Sequence, residues 1–471
     1  MSDVTSSLDA TQSGEGNPSE SDSGNERGIA LCLSGGGFRA TLFHLGAVRR
    51  LNEFGMLSKL DVITSVSGGS ILNGVLATRW PRLMISAGGV ITNFEEEIAR
   101  PVRAFCGTDI RTPLLLGTRL NPVNWPMLLR DFFSVSANYL AESYEALYQR
   151  KRLFDIPAPA AGTPRFVFCA TNMGTGACWH FHGGPQGRMG DFYTGYCDSA
   201  DVSVSEAVAA SSAFTPGFSA LRLRLGKQCN LSRIDPWGRE RPRSTKRAGE
   251  GDGSGRGTPI LTDGGVYDNL GVEPVWERYS LLVSDAGRPF ASVSASSQFF
   301  TTRLQRAINI GLEQVGAVRK RWLVNEFVSG RQQGALWAIN TLLDDFPVPN
   351  TQGYSLAASM LLHQIRTDLN SFTEGEIASL ENHGYSMADA AIRSRCASLC
   401  PNTSAPFHWP HPNWSDGAKT CIALAKSGQR NLIGDIAKLL FVPGPAEIFG
   451  LCRKVKVDLS GRDGGENAHE N

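Results

Sequence analysis

Residues 28–37 read GIALCLSGGG, and this stretch decides the fold. Ile29–Leu33 is short and continuously apolar, which is typical of a parallel strand that is buried on both faces. The run ends in a Ser-Gly-Gly-Gly turn, after which apolar side chains recur every three residues at Leu42, Leu45, Val48 and Leu51. That spacing predicts a helix, and Gly55 stands where a helix C-cap glycine is expected. The first unit is therefore predicted to be a strand, a glycine turn and a helix.

A second unit of the same kind follows directly. The run from 60 to 66 predicts another strand, which breaks into the turn SVSGGS at 65–70 and a helix carrying Ile71, Leu72, Val75 and Leu76. Two strand-turn-helix units in succession imply a right-handed α/β layout with a mainly parallel central sheet.

The rest of the chain divides by composition. Residues 1–27 are acidic, rich in serine and almost free of large apolar side chains, so we expect a disordered tail. A folded domain is predicted over 28–290, with an irregular helical insertion at about 84–160. Within it, the glycine-rich and arginine-rich stretch 226–258 predicts a mobile basic loop. We expect a helical C-terminal extension over 291–471.

Two capping boxes predict helix starts. Ser203 with Glu206 opens one helix, and Thr373 with Glu376 opens another, which we expect to stop near Gly384.

Overall composition excludes several classes of protein. With 46 basic and 45 acidic residues, the chain lacks the basic excess of a dedicated nucleic-acid binder. A hydrophobic share of 41% and a charged share of 19% indicate a globular chain rather than a disordered one. It contains no apolar run of 18 residues, and its ten cysteines are irregularly spaced without a secretory leader. These features predict a cytoplasmic protein whose contact with membranes is peripheral.

The first glycine turn has two possible uses. GGGFRA at 35–40 matches the dinucleotide pattern G-x-G-x-x-A, but the acid that pattern requires at the far end of the next strand is missing, since Asp61 lies at its beginning. No lysine follows the glycines, which excludes a P-loop. The other use is to offer backbone N–H groups to a developing oxyanion.

A nucleophile and a base complete the second use. Ser67 lies between a predicted strand and a predicted helix, as in a nucleophile elbow, with Ser65 in place of the usual first glycine. None of the histidines that follow Asp263 or Asp285 lies in a strand-end loop with glycine flanks, whereas Asp263 ends a strand in the turn LTDGG. The residues therefore favour a Ser67–Asp263 dyad over a Ser-acid-His triad.

The three motifs SGGGFRA, SVSGGS and DGG, in this order, resemble the patatin-like phospholipase family of lipid acyl hydrolases. The resemblance covers about 28–290, and part of the C-terminal region is similar to some bacterial members. It implies a three-layer α/β/α fold and hydrolysis of carboxylic esters of glycerophospholipids through an acyl-serine intermediate. It also implies that no cofactor or metal is needed, that a lipid ester is the substrate and that nucleic acid is not a partner.

The resemblance also suggests site residues. Ser67 would be the nucleophile and Asp263 the general base, and the oxyanion hole would consist of Gly35, Gly36 and Gly37. Arg39 matches an arginine that faces the lipid phosphate in related phospholipases.

Several alternatives remain open. The protein could be a catalytically silent lipid-binding protein on the same scaffold, or a nucleotide-dependent oxidoreductase. Leu114–Leu116 and the pair Phe132-Phe133 could line an acyl-chain groove or pack as ordinary helices. Four potential metal ligands lie close together in sequence, namely Cys396, Cys400, His408 and His411. Their spacing departs from common zinc patterns and tryptophans flank them, which favours packing over metal binding.

Overall fold

The computed structural model describes residues 28–113, 137–215, 218–225, 231–238, 240, 258–276, 278–287, 300–346, 348, 352–425 and 427. The predicted tail, most of the predicted basic loop and the proposed acyl-groove residues 114–116 and 132–133 lie outside these ranges.

A single sheet forms the centre of the described chain. Its strands are β1 (Ile29–Leu33), β2 (Leu60–Val66), β3 (Arg165–Asn172), β4 (Ala177–His182), β5 (Arg188–Asp191), β6 (Gly195–Asp198), β7 (Leu221–Arg222), β8 (Ile260–Asp263), β9 (Ser280–Asp285) and β10 (Gly334–Ala338). They are arranged in the order β10-β9-β1-β2-β3-β4-β5-β6, and β8 pairs with both β3 and β7.

The half of the sheet that carries the two glycine turns is parallel. Strands β10, β9, β1, β2 and β3 run in one direction, whereas β4, β5, β6 and β8 pair antiparallel to their neighbours. Ala30 to Leu33 of β1 are buried and Ile29 is half-buried, as the continuous run predicts for a strand covered on both faces.

Helices cover both faces of the sheet. They are α1 (Gly37–Glu53), α2 (Gly68–Arg79), α3 (Arg100–Cys106), α4 (Ala137–Tyr144), α5 (Val204–Ser212), α6 (Gly265–Asp268), α7 (Phe300–Val328), α8 (Leu356–Gln364), α9 (Glu374–Arg395) and α10 (Gly417–Leu424). The larger core contains α1, α2 and α5 on one face, while α7 contributes Leu323 to a smaller core on the other. The predicted three-layer α/β/α fold is confirmed.

The C-terminal region joins the same sheet and core. It supplies the strand β10, although the sequence predicts only helices after residue 290. Helix α9 packs along α1, and a Cβ added at Gly46 or Gly384 would lie 1.8 Å from a backbone oxygen of the opposite helix. Gly384 therefore allows two helix backbones to approach closely, and α9 does not end there as predicted but continues to Arg395.

Other local predictions agree with the structure. Both capping boxes are present, and Gly55 follows α1 with a φ of 71°. Among the described residues, no helix is both long and apolar enough to cross a membrane.

Candidate active site

Ser67 lies at the sharp turn between β2 and α2. Its φ of 50° and ψ of −117° are rare for a residue with a side chain, and such strain is maintained only where the surroundings impose it. The glycines after it are needed for space. A Cβ at Gly68 would lie 2.1 Å from the Gly37 oxygen, and one at Gly69 would lie 2.4 Å from the Leu33 oxygen. The turn thus has the strained strand-turn-helix geometry predicted for a nucleophile elbow.

Strand register places Asp263 next to this turn. Strand β2 runs parallel to β3 and its last residue, Val66, pairs with Cys169. Strand β8 runs antiparallel along β3, and its last residue, Asp263, pairs with Ala170. Ala170 pairs with β4 on its other edge, so β8 lies on the same edge of β3 as β2. Strand β8 therefore occupies the position in the sheet that β2 occupies beside the first part of β3. The two strands therefore meet end to end, and Ser67 and Asp263 lie where they meet.

Asp263 is buried, and its carboxyl group accepts a hydrogen bond from the Gly265 N–H, which lies 2.7 Å from Oδ1. Burial raises the pKa of Asp263 to about 6, while the Gly265 N–H and the nearby Ser67 hydroxyl oppose the rise. At neutral pH the group is largely ionised, yet basic enough to accept a proton.

The end of helix α5 supports both turns. The Ser211 carbonyl oxygen accepts the N–H of Ser67 at 3.2 Å and the N–H of Gly264 at 3.2 Å. Two residues further along, the Ala213 carbonyl accepts the N–H of Asp263 at 3.2 Å. The sequence analysis did not single out Ser211, because a serine within an alanine-rich helix carries no chemical signal of its own.

A buried network of hydroxyl groups lies behind the elbow and accounts for Ser65. The Ser65 hydroxyl accepts hydrogen bonds from Ser70 and from the Asn73 amide, both at 2.9 Å. Ser70 in turn lies 2.8 Å from the Ser211 hydroxyl, which also accepts the Ser67 N–H at 2.9 Å. A glycine at position 65 would remove one buried hydrogen-bond partner from both Ser70 and Asn73, so the departure from the usual elbow pattern has a structural reason.

The first glycine turn lies against the elbow. Gly36 and Gly37 have φ values of 146° and 59°, which glycine tolerates best. The Gly35 N–H already donates to the Asn269 carbonyl at 3.1 Å. Within the described chain, the N–H groups of Gly36 and Gly37 donate to no protein acceptor. Of the three glycines predicted for the oxyanion hole, only these two have N–H groups available for a ligand.

A buried histidine supports the glycine turn from below. His44 Nε2 lies 2.9 Å from the Ser34 carbonyl, so it must donate, and Nδ1 can then accept from the Ser284 hydroxyl at 2.8 Å. Burial lowers the pKa of His44 to about 4, against the opposing effects of the Ser34 hydrogen bond and Asp285. The ring is therefore neutral and holds the turn. Sequence reasoning missed this residue because it lies within a helix, away from any motif.

Arg39 is fully buried and makes contacts with protein carbonyls. Its guanidinium donates to the carbonyls of Ile365 and Ala286, both at 2.8 Å, and of His363 at 3.2 Å. These bonds connect α1 to the C-terminal region and to the end of β9. The contact with a lipid phosphate that the resemblance implies stays a prediction.

The other histidines and the cysteine cluster are placed elsewhere. In the described chain, no histidine ring hydrogen-bonds Ser67 or Asp263; His383 Nε2 contacts the Ile339 carbonyl, and His411 Nε2 contacts Glu381, both at 2.8 Å. Among the described residues, no three His, Cys, Asp or Glu side chains are grouped so that they could hold a metal ion. This holds for the region around Cys396 as well.

Comparisons with known proteins relate the chain to one family. The sequence model of the patatin-like phospholipases matches residues 31–276, more than half of the chain. Human GIVD cytosolic phospholipase A2 is similar in structure, with 12% identity and a TM-score of 0.36 over 86% of this chain and 63% of that one. VipD from Legionella pneumophila is 14% identical, with a TM-score of 0.33 over 93% of this chain and 80% of that one.

The chain therefore spans less than two-thirds of the human phospholipase. A search of curated protein sequences gives no significant match. The match to the family sequence model, which includes both the elbow and the Asp263 turn, shows that this chain belongs to the patatin-like phospholipase family.

Proposed function

We propose that the protein is a lipid acyl hydrolase that cleaves carboxylic esters of glycerophospholipids through an acyl-Ser67 intermediate. The observation that carries the proposal is the end-to-end meeting of β2 and β8, which brings a strained serine and a buried carboxylate together at one edge of β3. Family membership supports lipid esters as the substrate class.

In the first half-reaction, Ser67 Oγ attacks the ester carbonyl carbon while the Asp263 carboxylate accepts the hydroxyl proton. A serine hydroxyl is a weak nucleophile without such a base. The negative charge on the carbonyl oxygen is stabilised by the N–H groups of Gly36 and Gly37, of which Gly37 lies beside Gly68 at the elbow. The C–O bond of the ester then breaks, and the leaving alcohol takes the proton from Asp263.

In the second half-reaction, water replaces the alcohol. Asp263 accepts a proton from water as its oxygen attacks the acyl carbon, the same two glycines stabilise the oxyanion, and the proton then returns to Ser67 Oγ as the fatty acid leaves. One carboxylate serves both half-reactions, so the proposed mechanism requires no histidine.

Turnover of a phospholipid by purified protein tests this function. We expect Ser67→Ala to lower kcat/KM by several powers of ten, because the attacking oxygen is removed. Asp263→Asn should have a similarly severe effect because it keeps the shape of the side chain but cannot accept the proton. Ser86→Ala, at an exposed serine, is the control and should leave the rate unchanged.

Other outcomes would redirect the assignment. A wild-type protein that binds phospholipid vesicles without releasing fatty acid would be a silent lipid-binding protein on this scaffold. A Ser67→Ala variant that retains more than about a tenth of the wild-type rate would exclude Ser67 as the nucleophile. We further propose that the enzyme is cytoplasmic. It would contact membranes peripherally, because its phospholipid substrate resides in membranes.

A further inference from the structure

A cavity lies on the opposite face of the sheet from α1, α2 and α5. It has a volume of about 620 Å³, within the range that small-molecule sites occupy. Its lining includes His180 of β4, Tyr267 of α6 and Trp322 of α7. Neither Ser67 nor Asp263 lines it, so this cavity is separate from the candidate active site.

Aromatic rings make up much of the wall. Trp276 stacks on Trp322 with 3.5 Å between ring centroids and 17° between planes. Trp237 stands edge-on to the buried His182, with 4.8 Å between centroids. Tyr193, which also lines the cavity, is exposed. Such walls bind flat apolar faces well and carry no charge of their own.

The charged groups of the cavity already have partners. Arg319 donates to Glu273 at 2.9 Å, and Arg278 lies 3.6 Å from the buried Asp235. A charged ligand would have to compete with these pairs, whereas an uncharged ligand can leave them in place.

Two buried polar groups, in contrast, lack partners. His180 is 7% exposed, and neither of its ring nitrogens has a hydrogen-bond partner of normal geometry within the described chain, although the Cys178 thiol adjoins the ring. The buried Trp237 Nε1 likewise has none there. Even a neutral imidazole carries one ring N–H, so His180 and the Trp237 indole each offer a hydrogen-bond donor. Both groups therefore need acceptors, because leaving buried donors unsatisfied is costly.

We propose that this cavity binds an uncharged, planar aromatic ligand whose edge carries hydrogen-bond acceptors. Its faces would lie against the tryptophan and tyrosine rings, and its acceptors would meet His180 and Trp237. The proposal does not depend on the hydrolase function, because none of these residues belongs to the candidate active site.

Calorimetric titration of the full chain with 2-quinolinone tests the site. This bicyclic lactam is flat and carries a carbonyl acceptor. Indole has a similar bicyclic ring without an acceptor, and 2-piperidinone has the lactam without an aromatic ring. We expect 2-quinolinone to bind saturably with a Kd below about 1 mM. Both comparison compounds should bind at least about tenfold more weakly, since each loses one of the two kinds of contact.

Variants locate the binding. Trp322 is 43% exposed, and Trp322→Ala removes one aromatic wall of the cavity. We expect this variant to bind 2-quinolinone at least about tenfold more weakly. Val318 lies one turn earlier on the same helix, is 54% exposed and does not line the cavity. Val318→Ala is therefore the control and should leave the affinity for 2-quinolinone unchanged. His180→Phe keeps a flat ring, and we expect it to abolish the preference for 2-quinolinone over indole.

The proposal is overturned if 2-quinolinone shows no saturation, if indole binds as well as 2-quinolinone, or if Trp322→Ala binds like the wild type, which would place the probe elsewhere. Circular dichroism establishes that each variant is folded. Should His180→Phe fail to fold, Trp322→Ala and the two comparison compounds still decide the matter.

Discussion

The backbone carbonyl of Ser211 accepts a hydrogen bond from the N–H of Ser67, at 3.2 Å, and the same oxygen accepts the N–H of Gly264. One atom at the end of α5 therefore ties the turn of the proposed nucleophile to the turn of the proposed base. The Ser211 hydroxyl adds a second bond to the Ser67 N–H and donates to the Cys169 carbonyl at 2.7 Å. Helix α5 thus fixes the relative position of two residues that lie far apart in sequence.

We predict that Ser211→Ala lowers kcat about tenfold and leaves KM nearly unchanged, because the elbow loses a support while the lipid contacts remain. Steady-state kinetics on a phospholipid substrate measures both constants. Ser212→Ala is the matched control: its hydroxyl donates within the helix to the Val208 carbonyl at 2.7 Å, and its loss should alter kcat less than about twofold. Equal losses in both variants would contradict a positioning role for Ser211.

The oxyanion assignment predicts a large effect at Gly36. An alanine there would meet the Ala286 oxygen at 2.8 Å and would need a φ of 146°, so the turn must shift. Misplacing one oxyanion donor typically costs about 10²-fold in kcat. The free energy of unfolding, from urea denaturation, should be measured alongside the kinetics. A folded Gly36→Ala variant with wild-type kinetics would assign the turn a purely structural role.

The pH profile of kcat/KM should fall on the acid side with a midpoint near the pKa of Asp263, which is about 6. The base is active only when ionised, and a raised pKa means that protonation removes it at a higher pH than for an exposed aspartate. An ordinary histidine has a pKa of about 6.5, so the profile alone does not separate the two bases.

Histidine variants distinguish an aspartate base from a histidine base. His363→Asn and His408→Asn should each retain the wild-type rate within a few-fold, because neither ring contacts Ser67 or Asp263 among the described residues. A folded histidine variant as inactive as Ser67→Ala would reduce Asp263 to an orienting acid.

Arg39 should matter for stability. Arg39→Met removes three hydrogen bonds from a buried cation to carbonyls, which we expect to lower the free energy of unfolding by about 2–4 kcal/mol. Urea denaturation measures this change. If instead stability is unchanged and KM for phospholipids rises sharply, Arg39 acts on the lipid phosphate, as the resemblance implies.

The sequence predicts the three turns of the candidate site because each combines a short apolar run with glycines that only a tight turn requires. Gly36 and Ser67 are recognisable from local pattern, and Asp263 is recognisable from its turn once that turn is paired with the Ser67 elbow. The direction of β8 is not, because a four-residue strand carries no sign of its orientation. Its antiparallel course along β3 depends on pairing with residues about 90 positions earlier.

Long-range packing explains the remaining differences. Gly384 resembles a helix stop, yet it lies inside α9 because α1 approaches there. The supporting roles of Ser211 and His44 depend on contacts between distant segments, which leave no periodic or compositional trace. The strand β10 joins the sheet from a region whose other apolar patterns are helical.

Covalent labelling with a lipid-like fluorophosphonate tests the central claim most directly. Such a reagent phosphonylates an activated serine with loss of fluoride, and peptide mass spectrometry identifies the modified residue. The account predicts modification at Ser67 with parallel loss of lipid hydrolysis, and no modification of Ser67→Ala. Full inactivation with the label on another serine, or with Ser67 unmodified, would contradict it.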